Sequence, residues 1–111
     1  MAHILICADD ITVESLLVVI AKHMGHDPEV LGPAPSGALP AGDLFLADPT
    51  APRSTAWATA LRHRDAAIPV VAIGLDPLDP GSLGFEPSEI VDKPFRVDVL
   101  REAIERALRP D

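Results

Sequence analysis

Four charged residues carry the chemistry this sequence offers: Asp9, Asp10, Asp48 and Lys93. Asp9 and Asp10 close the run Ile4-Leu5-Ile6-Cys7-Ala8, which is apolar enough for a buried strand. Side by side at the rim of a hydrophobic core, two carboxylates repel each other and resist desolvation. Asp48 closes a second apolar run, Asp43-Leu44-Phe45-Leu46-Ala47, and Lys93 follows Glu89-Ile90-Val91. Brought together, three carboxylates suit a hard divalent cation such as Mg2+. A lysine beside them would pair with an anion bound to that metal. An Asp next to both is a candidate to accept a phosphoryl group. Taken singly, each residue has a plainer use: Asp9 and Asp10 as helix caps, Asp48 as a solvated loop acid, Lys93 as its surface counter-charge. The chemistry depends on whether the fold brings the four to one place.

The elements that would do so alternate along the chain. A strand over residues 3–8 precedes a helix from Thr12 to Met24, with Val13, Leu16, Leu17, Ile20 and Met24 on one face. Thr12 is the expected N-cap, Glu14 suits the first turn, and Gly25 ends the helix. Val18 and Val19 fall off the buried stripe. Glu29-Val30-Leu31 reads as a short second strand. A third strand covers Asp43–Ala47, a helix Ser54–Arg64, a fourth strand "IPVVAIG", and a fifth Glu89–Val91. Val97, Leu100, Ile104 and Leu108 stripe a last helix, whose surface carries Arg101–Glu105 and Glu102–Arg106 at four-residue spacing. Alternation of this kind predicts a parallel sheet covered on both faces. In the flavodoxin-like strand order 2-1-3-4-5, strands one, three and five present their carboxyl ends along one edge, where open α/β sheets bind ligands. All four charged residues then converge.

Two windows resist a helix. Residues 33–42 contain Pro33, Pro35, Pro40, Gly37 and Gly42; residues 75–88 contain Pro77, Pro80, Pro87, Gly81 and Gly84. An interior Pro costs a helix about 3 kcal/mol and a Gly about 1 kcal/mol, so both windows are expected to be mainly loop.

Composition narrows the function classes. A chain of 111 residues, 48% hydrophobic and 23% charged, suits one soluble domain with one modest core. No run approaches a membrane span, and no basic segment leads into a signal-like apolar stretch, so no membrane association is expected. The net charge is −8, from 17 acidic against 9 basic side chains, which repels a phosphate backbone and argues against nucleic acid as a partner. Cys7, the single cysteine, reads as a small core residue in a reducing, cytoplasmic setting. His3, His23, His26 and His63 show no metal-ligand spacing, and Trp57 reads as core.

The ordered set "ILICADD", "DLFLADPTAP", "IPVVAIG" and "EIVDKPF" resembles the receiver domain of two-component response regulators, over residues 1–111. The resemblance implies a signalling module rather than an enzyme. It implies Asp9 and Asp10 as Mg2+ ligands, and Asp48 as the phosphorylated nucleophile and third side-chain ligand. Thr50 would offer its backbone carbonyl to the metal. Lys93 would bind the acyl phosphate, and the Lys93–Pro94 bond would be cis. The phosphodonor would be a histidine kinase or phosphotransfer protein. With no output domain in these residues, output is expected through a downstream protein partner.

The chain also departs from the family's pattern. The family places Ser or Thr at the end of strand four, where this chain has Gly74, and Tyr or Phe three residues before the lysine, where it has Ile90. Hydroxyl and ring are the two ends of one switch. Pro49 directly after the acceptor is also unusual. Two functions therefore compete: a phosphorylatable receiver with non-standard switching, and a pseudo-receiver that binds proteins without phosphorylation. A flavin-binding domain of the same topology fits poorly, because acids stand where a phosphate cradle needs Gly, Ser and Thr. Switching through the family's route is not expected. The 75–88 region, with Leu75, Leu78, Leu83 and Phe85, is the candidate face for a partner or a second copy of the chain.

Overall fold

Apolar runs become strands and amphipathic stripes become helices in the order the alternation predicts. The computed structural model describes residues 2–8, 10–33, 35, 39–48, 52–75, 87–93 and 96–109. Along them run β1 (His3–Cys7), α1 (Ile11–His23), β2 (Asp27–Val30), β3 (Leu44–Ala47), α2 (Pro52–Arg64), β4 (Val70–Leu75), β5 (Glu89–Lys93) and α3 (Val97–Leu108). The strands form one parallel sheet in the order β2-β1-β3-β4-β5, the flavodoxin-like arrangement expected. Among the described residues, no helix is long and apolar enough to cross a membrane.

Side chains alternate across this sheet and build two cores. On one face Ile4, Ile6, Leu44, Leu46, Val71, Ile73 and Val91 pack against Leu17 and Ile20 of α1 and Leu100 and Ile104 of α3. On the other, Leu5, Cys7, Phe45, Ala47 and Val70 meet Trp57, Ala58 and Leu61 of α2. Phe45 is fully buried there, so its truncation to Ala should cost about 3–5 kcal/mol. Trp57 and Cys7 are core residues, as read.

The second face has one described helix for its share of the sheet. The rest of the cover comes from the segment after β2. Leu31 is buried and Leu39 packs against the same cluster. Among the described residues of 31–43 there is no helix, in line with the Pro/Gly content of that window. A segment without a helix leaves backbone carbonyls to satisfy, and α2 side chains supply the donors. Trp57 Nε1 donates to the Gly32 carbonyl at 2.9 Å, and Arg64 donates to the Leu39 and Pro40 carbonyls at 2.8 and 2.7 Å. Gly42 passes so close to the sheet that an added Cβ would stand 2.6 Å from Leu5 Cγ. The other window, apart from Leu75 in β4 and residues 87–88, lies outside the described residues.

Local details correct the sequence reading in several places. Asp10, not Thr12, caps α1: its backbone is extended (φ −84°, ψ 116°) and its Oδ1 accepts from the Thr12 N–H at 2.8 Å. An N-cap oxygen bonds the N–H two residues on, so Thr12 is the receiver of the cap. Gly25, at φ 82°, lets the Gly25 and His26 N–H groups bond back to the Lys22 and Ala21 carbonyls and close α1. Leu16 is 40% exposed and Val18 is partly buried, because the buried stripe runs through Val13, Leu17, Ile20 and Met24. Strand β2 starts at Asp27 rather than Glu29; Pro28 lacks a donor but is tolerated on an edge strand. On α3, Arg106 bonds Glu89 of β5 at 2.9 Å and is 3.9 Å from Glu102, so the helix is pinned to the sheet more than along itself.

Candidate functional site

Asp48 stands where β3 ends, and it is 3% exposed. Its backbone is held from both sides. The Asp48 N–H donates to the Cys7 carbonyl at 2.9 Å, carrying the β1–β3 ladder one residue past the strand. The Asp48 carbonyl accepts from Ser54 Oγ at 2.6 Å. Ser54 is fully buried near the start of α2, and its Oγ also lies 3.4 Å from Cys7 Sγ. Two neighbouring elements thus fix the position of one carboxylate at the rim of the core. A buried ionisable group at a strand end is a recurring mark of function.

Strands β1 and β3 are adjacent and parallel, with Cys7 opposite Ala47. Ala8 and Asp48 are the next residues along each, so Asp48 and Asp10, the N-cap of α1, both follow the carboxyl ends of adjacent strands. Asp10 is exposed, and its cap bond to Thr12 uses one carboxylate oxygen. The helix-cap reading is therefore correct for Asp10, and the cap leaves a second oxygen for other work. Asp9 and Thr50 lie outside the described residues, as do Pro49 and Pro94 with the expected cis bond. Lys93 is the last residue of β5, paired with Leu75, where the sequence placed it after the strand. The cause is β4, which runs one residue beyond Gly74 and extends its partner. Gly74 is accordingly a buried strand residue opposite Asp92. Ile90 is 37% exposed.

The donor set decides what this edge can hold. Asp10 and Asp48 offer only oxygen, the ligand of hard cations such as Mg2+. Among the described residues no group of three or more His, Cys, Asp or Glu is close enough to hold a metal. A complete Mg2+ site would thus draw on residues beyond those two. The chemistry of the two placed carboxylates fits such an ion.

Two residues of the site escaped the sequence reading. One is Ser54, read only as the start of a helix. The other is Arg53, whose guanidinium reaches over the top of β1 to the Ala8 carbonyl (2.5 Å) and stands 3.5 Å from the Leu31 and Gly32 carbonyls. It also lies 4.0 Å from Glu14 in the first turn of α1. A signal for Arg53 was present. The positive end of the helix dipole disfavours a cation in the first turn by about 0.3–1 kcal/mol, and α2 carries Arg53 there with no acid in that turn. A charge placed against its helix dipole needs another reason.

His3 forms a separate polar cluster on β1. Its Nε2 lies 2.7 Å from Glu29 Oε1 and its Nδ1 3.0 Å from Asp27 Oδ2. The Glu29 hydrogen bond raises its pKa, partial burial opposes that, and Asp27 adds to the rise. Asp27 and Glu29 stand across from His3 and two residues on, so the three share one face of the β1–β2 pair.

No protein-family model matches the sequence, and neither does any curated protein. Solved structures do match in fold. NtrX from Brucella abortus aligns over 96% of this chain with a TM-score of 0.78 and 21% identity; the chain spans only 27% of the length of NtrX. A protein from Chloroflexus aurantiacus, described as a response regulator, gives a TM-score of 0.80 at 18% identity, with 96% of this chain and 97% of that one covered. The receiver domain of the sensor histidine kinase PA1611 from Pseudomonas aeruginosa gives 0.80 at 16% identity, with the same coverage, and holds magnesium in its active-site cleft. The fold of this chain is that of response-regulator receiver domains.

Proposed function

We propose that this chain is a receiver that accepts a phosphoryl group on Asp48 in a phosphorelay. The observation that carries the reading is the placement of Asp48: a nearly buried carboxylate at the carboxyl end of β3, clamped through its backbone to β1 and α2. Asp9, Asp10, Asp48 and the Thr50 backbone carbonyl are the proposed Mg2+ ligands, and Lys93 the proposed partner of the phosphoryl oxygens. Bound there, Mg2+ supplies positive charge for the phosphoryl oxygens. An Asp48 carboxylate oxygen attacks the phosphorus of a phosphohistidine on a histidine kinase or phosphotransfer protein. The P–N bond breaks, the imidazole leaves and takes up a proton, and Asp48 becomes an acyl phosphate. Output passes to a protein partner, with the 75–88 region as the proposed contact face, for that partner or a second copy of the chain.

A pseudo-receiver is the second reading, and Gly74 and Ile90 favour it. Gly74 offers no hydroxyl to a phosphoryl group and Ile90 no ring to turn inward. A ligand shifts an equilibrium only through differential contacts with its two states, so a phosphoryl group here must act through other residues. Beryllofluoride with Mg2+, a mimic of the acyl phosphate, separates the readings. Fluorine NMR should show a bound species in the wild type and none in Asp48→Asn. A wild type that binds none, at Mg2+ concentrations that saturate ordinary carboxylate sites, supports the pseudo-receiver.

A further inference from the structure

The amino-terminal end of the sheet, opposite the end where Asp48 follows β3, carries a polar cluster that the proposed phosphorylation does not use. Residues 2–3, 26–29 and 43 meet there. The His3 N–H donates to Asp43 Oδ2 at 2.8 Å, and the Asp43 N–H donates to the His3 carbonyl at 2.8 Å. The Asp27 N–H donates to the Ala2 carbonyl at 2.8 Å, and the Ala2 N–H donates to His26 Nδ1 at 3.0 Å. The His3 ring lies between Glu29 Oε1 and Asp27 Oδ2, with one nitrogen on each.

The two imidazoles make opposite demands on a proton. A neutral imidazole has one N–H, and an ionised carboxylate only accepts. His3 can therefore bond Asp27 and Glu29 together only as the imidazolium. His26 can accept from the Ala2 N–H only while its Nδ1 carries no proton. We propose that His3 and His26 form a pH latch on edge strand β2, fully closed only when His3 is protonated and His26 is neutral. Acid opens it at the Ala2–His26 bond. Alkali opens it at one of the two carboxylate bonds of His3.

The surroundings suit this division. The side chains of Asp27 and Glu29 on β2 face the His3 ring, and the Asp43 carboxylate ahead of β3 holds its backbone. The Glu29 bond, first, and Asp27 raise the His3 pKa against an opposing effect of burial. Helices α1 and α2 end toward this side of the sheet with Lys22 and His23, and with Arg62, His63 and Arg64, in their last turns. Arg64 is engaged by the Leu39 and Pro40 carbonyls. His26 itself stands between the end of α1 and Asp27, its N–H bonded to the Ala21 carbonyl at 3.0 Å. Strand β2 has only four residues and pairs with β1 alone. Pro28 gives it no N–H at its second position, so each side-chain bond at its start counts for more. Its far end leads to Gly32, whose carbonyl accepts from Trp57 Nε1. The latch therefore also anchors the segment that covers the second face.

The test is NMR on the full chain between pH ~5.5 and ~9, above the range in which carboxylates usually titrate. The ring Cε1–H signals locate the protonation of His3 and of His26. Amide exchange, referred to the intrinsic rate at each pH, reads the latch. Protection of the Ala2 amide should fall about fivefold as His26 takes up its proton, roughly the worth of one hydrogen bond. Protection of the Asp27 amide should fall by about the same factor as His3 releases its proton. His3→Gln should abolish the alkaline fall and keep the acid one; His26→Gln should do the reverse. Histidines that only fill space would leave both pH profiles unchanged in shape. A profile that is flat across either midpoint, or a variant that keeps the fall it should lose, overturns the proposal. So does a His26 that stays protonated to higher pH than His3, because the closed state would then never be the main one. If either variant fails to fold, the wild-type midpoints and profiles decide.

Discussion

Asp10 has two roles that a pair of substitutions can separate. Its Oδ1 caps α1 through the Thr12 N–H at 2.8 Å, and its carboxylate is a proposed Mg2+ ligand. Asp10→Ala removes both; Asp10→Asn keeps the cap, since Asn caps as well as Asp, and removes the charge. In metal-free buffer the Ala variant should lose about 1 kcal/mol, within the usual 0.5–2 kcal/mol for a lost cap. For a domain of this size that is a fall in Tm of roughly 4–8 °C. The Asn variant should match the wild type or exceed it slightly, because one of the adjacent like charges is gone. Added Mg2+ should then split the two. A ligand at 100 times its Kd stabilises the native state by about 2.7 kcal/mol, so the wild type should rise on the order of 10 °C. The Asn variant should rise much less. Thermal unfolding followed by circular dichroism, in EDTA and in Mg2+, gives all four numbers. An Asn variant that keeps the full Mg2+ rise refutes the ligand role. An Ala variant as stable as the wild type without metal refutes the cap.

Other consequences are as direct. Gly42→Ala should destabilise by about 1–3 kcal/mol in urea unfolding, because its Cβ would stand 2.6 and 2.7 Å from Leu5 Cγ and Cδ1 in a fully buried side chain; an unchanged midpoint contradicts that close approach. Arg64→Ala should cost about 0.5–1.5 kcal/mol and speed proteolysis within 35–42, since it removes both donors to the Leu39 and Pro40 carbonyls; cleavage at the wild-type rate contradicts a holding role for these two bonds. The raised pKa of His3, due first to Glu29 and then to Asp27 against opposing burial, means that folding favours its protonated form. Its contribution is complete below the unfolded value near 6.5 and fades as pH rises through the raised folded value. His3→Gln should flatten the stability profile in that window, and a slope equal to the wild type's would exclude His3 as its source.

The fold was legible because periodicity and punctuation agreed. The run Ile4–Ala8 and the stripe of α3 left little choice of element, and the acids marked where strands end. Among the described residues of 33–42 no helix forms, as Pro33, Pro35 and Pro40 led the sequence reading to expect. What was not legible is what replaced it. Nothing in the spacing of Arg64 and Leu39 shows that one covers the other's carbonyl. The position of a candidate residue was legible where it ends a strand, as Asp48 does. Contacts made by a long side chain that crosses to another element were hidden, as where Arg53 reaches the Ala8 carbonyl from α2. The sequence offered both Asp10 and Thr12 as the cap of α1, because Asp and Thr both cap well and stand two residues apart. The choice between them depends on where the strand stops.

The central claim is that Asp48 is a phosphoacceptor, and intact-protein mass spectrometry after incubation with Mg2+ and acetyl phosphate tests it most directly. The account predicts a gain of one phosphoryl group, lost on chelation of Mg2+, absent in Asp48→Asn, and labile to hydroxylamine as an acyl phosphate should be. No gain with acetyl phosphate or with a phosphorylated histidine kinase, or a gain that persists in Asp48→Asn, would contradict it.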